Sequence, residues 1–182
     1  MVQKFPNFIM NKPKKLFSVI ILVLVSFVVF LYVNDDIGIT SKNIESDIRS
    51  SQKISDDWIT DGTVSDTLAT YISYPQDKSE HTFSVYINRP GFSFGYFFRA
   101  GGGLGLIEDY IAEFTSDGVD ERAFISMNKQ KVCCIEIDDG INVQKIETDS
   151  NKPFAVIFPM NAGTVTFYDI NGNIVEYFKQ SI

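Results

Sequence analysis

Hydrophobic patterning changes character twice along the chain. From Leu16 to Val33 the segment LFSVIILVLVSFVVFLYV carries no charge, and only Ser18, Ser26 and Tyr32 interrupt its leucine, isoleucine, valine and phenylalanine. A helix of this length spans roughly 27 Å, close to the hydrocarbon thickness of a bilayer, and it has no polar face to turn to water. Its apolar residues favour insertion by about 5–9 kcal/mol in sum, more than the two serines and the tyrosine offset. The pattern predicts a transmembrane helix over 16–33. Residues 34–66 then read NDDIGITSKNIESDIRSSQKISDDWITDGTVSD, with isoleucines too thinly spaced for a core, and predict a polar acidic stalk or linker. Ile44 and Ile48 stand four apart, as in one helical turn, and Trp58 is expected to dock on the adjoining domain.

From residue 67 to 182 the pattern becomes short alternating segments broken by turns. HTFSVYINR places Phe83, Val85 and Ile87 on one face, Pro90-Gly91 suits a type II turn, and GFSFGYFFR returns with Phe92, Phe94, Tyr96 and Phe98 on one face and Phe97 opposite. AFISM and KVCCIEID come next, and Asp139-Gly140 leads into INVQKIE as a second hairpin. PFAVIFPM reads as a buried strand bounded by prolines, and TVTFYDI and NIVEYF flank Asn171-Gly172, a third hairpin. About seven or eight strands near ten residues apart predict a mostly β fold, an immunoglobulin-like antiparallel β-sandwich. FYDINGNIVEY resembles the closing strand, turn and strand of extracellular bacterial sandwich domains. Residues 104–114 are ambiguous: Leu104, Ile107, Ile111 and Phe114 recur at helical spacing after a glycine run, so a short helix and a further strand both remain open.

Charge sets the orientation. Lys4, Lys12, Lys14 and Lys15 precede the apolar run and all 23 acidic residues come after it, so the remaining 12 basic residues leave the later part at a net −11. The positive-inside bias predicts a basic cytoplasmic tail over 1–15 and an extracytoplasmic domain beyond Asp35 and Asp36. LYVNDD offers no small-residue cleavage site, which favours an uncleaved signal-anchor. An acidic domain repels nucleic acid, so no nucleic-acid partner is expected.

The candidate chemistry is sparse. FFRAGGGLGLIEDYI suggests a phosphate loop, but no frame of it fits Gly-x-Gly-x-x-Gly, no lysine lies between Arg99 and Lys129, and Glu108, Asp109 and Glu113 repel phosphate; no nucleotide or other cofactor is expected. Cys133 and Cys134 are neighbours whose side chains on a regular strand point to opposite faces, so they are read as unlinked thiols, Cys133 in the core beside Ile135 and Ile137. No metal site is assigned, because His81 is the only histidine and YDINGN has its glycine at the wrong place for a calcium loop. His81 alone makes a weak hydrolytic centre, and no catalytic residue is assigned. The surplus of rings at Phe92, Phe94, Tyr96, Phe97 and Phe98 is the one candidate partner-binding surface, for a protein or a cell-wall glycan. The chain is therefore expected to be a single-pass, envelope-anchored binding or interaction module rather than an enzyme, with an envelope hydrolase or a structural subunit of a membrane complex as the alternatives.

Overall fold

The uncharged run lies within helix α1 (Lys12–Val33) in the computed structural model of the chain, which describes residues 12–34, 36–89 and 94–182. Its Leu16–Val33 stretch has a mean hydropathy of 3.0 and is 6% buried, so the helix is apolar and uncovered on nearly all sides and is long and apolar enough to cross a membrane. Two compact units divide the chain, one ending at Ile37 and the other running over Gly38–Ile182. Residues 1–11 of the expected basic tail, Asp35, the Pro90-Gly91 turn and Phe92 lie outside the described residues.

Part of the expected stalk belongs to the second unit. Helix α2 (Ile44–Ser51) needs only two large apolar residues one turn apart: Ile44 and Ile48 are fully buried against Ala69, Tyr86 and Tyr96. The Tyr86 hydroxyl donates to Asp47 Oδ2 at 2.6 Å, and just past the helix Gln52 Nε2 donates to the Phe83 carbonyl at 3.0 Å. Strand β1 (Ile59–Val64) comes next, and Trp58 before it is half-buried. A polar composition hid these elements because one stripe of a short helix and an edge strand demand few apolar residues.

Strands β2 (Leu68–Tyr74), β3 (Thr82–Asn88) and β4 (Tyr96–Gly102) complete a first antiparallel sheet in the order β1-β2-β3-β4. A second sheet is built from β5 (Ile111–Thr115), β6 (Glu121–Ser126), β9 (Phe154–Pro159) and β12 (Tyr177–Ser181), in the order β12-β5-β6-β9, with β12 parallel to β5. The third contains β7 (Val132–Asp138), β8 (Val143–Glu147), β10 (Thr164–Asp169) and β11 (Ile174–Val175), in the order β11-β10-β7-β8. The three expected hairpins pair as β3 with β4, β7 with β8 and β10 with β11, although β11 is only two residues long before the chain crosses to the second sheet as β12.

Alternation along β6 shows how the sheets stack. Ala123 and Ile125 join a core with Leu68, Ile72 and Val85 of the first sheet, whereas Phe124 joins another with Ile135, Val165 and Phe167 of the third. Strands β5 and β6 of the second sheet are therefore buried on both faces. Among the described residues the fold has twelve strands in three stacked sheets, with α2 on the outer side of the first, in place of the two-sheet immunoglobulin-like sandwich of seven or eight strands. Double burial also resolves residues 104–114. A short 3₁₀ turn (Gly105–Ile107) gives way to β5, whose Ile111 and Phe114 are buried on opposite faces of the middle sheet. Apolar residues on both faces of a strand imitate helical spacing.

Candidate binding surface

The rings of β4, and of Phe94 just before it, separate by burial. Phe94 and Phe98 are 55% and 50% exposed, whereas Tyr96 is 8% exposed in the cluster beneath α2, where its hydroxyl donates to the Ser65 carbonyl. Phe97 is half-buried with the Arg89 guanidinium 3.9 Å from its ring centre, and Phe98 meets the Tyr86 ring edge-on at 5.5 Å. Tyr96 thus belongs to the packing, and of the described rings Phe94 and Phe98 face solvent. The alternation fails because Gly95, with a φ of 91°, separates Phe94 from the strand, and because α2 covers Tyr96.

Strand β4 would be an open edge at its start but for the segment entering the domain. Gly38 N–H donates to the Phe94 carbonyl at 2.6 Å, and Ile39 and Tyr96 exchange backbone hydrogen bonds at 2.9 and 2.8 Å. The approach depends on Gly38 and Gly95: a Cβ on either would stand 2.7 Å from a backbone oxygen of the other segment.

The glycine run closes β4 and turns. Gly101 and Gly102 end the strand, and the nearby Leu104 N–H donates to His81 Nε2 at 2.9 Å. Accepting at Nε2 requires a neutral ring with its proton on Nδ1, which faces Glu108 Oε2 at 3.7 Å. Burial lowers the His81 pKa below the usual histidine value, against the opposing pull of Glu108 and with a smaller push from Lys129, which binds Glu108 and Asp109. A depressed histidine pKa stabilises the fold above the unfolded value of about 6.5, and that contribution is lost as pH falls through the folded value. The imidazole of His81 is expected to titrate below about pH 6.5 in an NMR titration, with Leu104 amide protection falling in step; a midpoint above that value would contradict the hydrogen bond.

Among the hollows of the described residues, two border β7 and β8 of the third sheet. One, of about 410 Å³, opens between the β7–β8 hairpin and the end of β9, with Ile137, Ile146 and Phe158 as its floor and Asn142, Gln144 and Asn161 among its lining. The other, of about 430 Å³, lies on the outer face and includes Cys133, Cys134 and Tyr168. Cys133 is not in the core as expected. Tyr168 pairs with Cys134 and Asp169 with Val132, so Cys133 is the extra residue of a β-bulge and Val132 takes the core place. No sequence signal marked this bulge. The turn beside it is an internal device: Asp169 accepts from the Asn171 and Asn173 backbone amides at 2.8 Å each and from Asn173 Nδ2 at 3.0 Å, hydrogen bonds that lower its pKa, Asn173 foremost.

Sequence reasoning also missed a buried ion pair. Glu113 of β5, 1% exposed, lies 3.5 Å from Arg122 of β6, and Lys179 of β12 stands 3.7 Å from its other oxygen. Arg122 also donates to the Gly163 carbonyl at 2.6 Å. These charges sit on the third-sheet side of the middle sheet, alternating with Ala112, Phe114 and Ala123, which face the first. From the sequence Glu113 reads as one of the acidic residues repelling phosphate, or as a carboxylate to pair with Glu108, because pairing across β5, β6 and β12 is invisible in a linear chain.

Comparison with protein family models, with curated proteins and with solved structures finds no match.

Proposed function

We propose that the chain is a single-pass membrane protein of the cell envelope whose β domain lies outside the cytoplasm and works by binding a protein or a wall glycan. The observation that carries this reading is the Leu16–Val33 stretch, uncharged and only 6% buried. Apolar surface of that extent is stable in lipid and unfavourable in water. The cationic residues before it and the acidic domain after it support a cytoplasmic N-terminus. Binding is supported by surface left open at the sheet margins: Phe94 beside Gly38, Phe98 on β4, and the cleft whose apolar floor is joined by carboxamides able both to donate and to accept.

A reporter enzyme active only outside the cytoplasm, joined after Ile182, is expected to be active in cells. A reporter active only in the cytoplasm should be silent at the same junction. The reverse pattern would overturn the orientation, and release of the fusion into the medium would overturn the anchor.

A further inference from the structure

Neither cysteine side chain belongs to a core cluster, and the Cys133 thiol donates only to the Asp169 carbonyl of the neighbouring strand. Both are free thiols and both are partly exposed, while Val132 and Ile135 on either side are fully buried and supply the core contacts. In a regular strand adjacent side chains point to opposite faces. Here the bulge at Cys133 breaks that alternation, and both residues line the same outer hollow, with Cys133 Sγ 3.4 Å from the Asp169 carbonyl.

We propose that Cys133 and Cys134 form a two-thiolate site for a soft monovalent cation of the Cu(I) class, for which Ag(I) is an analogue. Thiolates select such ions, and the hard donors nearby are already engaged. Glu136 is held by Lys145 at 3.0 Å, and the Asp169 carboxylate is occupied by the amides of its own turn. Zinc favours four ligands, and among the described residues no group of three or more His, Cys, Asp or Glu side chains is gathered to hold a metal; two soft donors suit an ion content with low coordination. Binding forms two metal–sulfur bonds and breaks two S–H bonds, both protons pass to solvent, and no electron is transferred. The bound site carries one net negative charge, and the Lys145 ammonium in the same hollow stays paired with Glu136.

The test is anaerobic competition for Cu(I) between bicinchoninate and the full chain in detergent with ascorbate, alongside thermal unfolding. One Cu(I) per chain is expected, with two sulfur neighbours by X-ray absorption and a raised Tm, because an ion bound by the folded state stabilises it. C133S and C134S are each expected to keep the metal-free Tm and to lose at least the ~10–100-fold in affinity that even an outer-shell partner contributes. Undiminished binding in either variant would overturn the site. So would a Tm that falls on adding Cu(I), since the unfolded chain would then be the better ligand, or nitrogen and oxygen neighbours in place of sulfur. The last two measurements use the parent chain, so they decide the matter even if a serine variant fails to fold.

Discussion

Replacing Phe124 by alanine is expected to destabilise the β domain by about 3–5 kcal/mol, a large share of what a domain of this size possesses. Phe124 is fully buried in the core between the second and third sheets. Its ring lies 5.1 Å from that of Phe167, 5.3 Å from Tyr177 and 6.0 Å from Phe158, measured between centres. One side chain therefore contacts β9, β10 and β12, and its loss leaves a cavity that rigid sheets on two sides fill poorly. Aromatic pairs add ~0.5–1.5 kcal/mol beyond the area they bury, which places the cost in the upper part of that range. Urea unfolding should show a lower midpoint with an unchanged slope. F98A, at a half-exposed ring, serves as the control and should fall within about 1 kcal/mol of the parent. A loss below ~1 kcal/mol for F124A would mean that the sheets do not share this core.

The second large effect concerns the buried pair. Arg122→Met is expected to cost about 3–5 kcal/mol, because Glu113 would remain buried with only Lys179 near it. The Gly163 carbonyl would lose its donor as well. Combining it with Glu113→Leu removes the uncompensated charge, so the double variant should recover most of the loss; buried pairs replaced by apolar residues are often neutral or stabilising. If E113L/R122M were as unstable as R122M alone, the cost would lie in packing rather than in an unpaired charge. The comparison by urea unfolding also reports on construction. Glu113, Arg122 and Lys179 come from β5, β6 and β12, so their interaction depends on the parallel docking of the C-terminal strand.

Several elements were legible from local pattern. The hairpin at Asp139-Gly140 and the turn at Asn171-Gly172 depend on residues adjacent in sequence, and alternation at Phe83, Val85 and Ile87 was enough to place a core face. The aromatic surface was legible only as a surplus of rings. Phe94 and Tyr96 look equivalent in a two-residue repeat, yet one is 55% and the other 8% exposed, because Ile44 and Ile48 arrive from a stretch that composition marks as solvent-loving. The bulge at Cys133 was hidden for a related reason: an extra residue in a strand is defined by the partner strand, and KVCCIEID does not contain its partner.

Composition and order along the chain were enough for the uncharged apolar run near the N-terminus, the segregation of its cations and anions, and the β character of residues 67–182, since each arises from neighbours within a few residues. Contacts between residues distant in sequence were needed for the rest: three stacked sheets instead of two, the capture of residues 38–64 into the domain, a strand where spacing suggested a helix, and two cysteines gathered into one hollow. Burial on both faces of a strand removes the alternation that marks it. A layer that covers a surface leaves no trace in the sequence of the surface it covers.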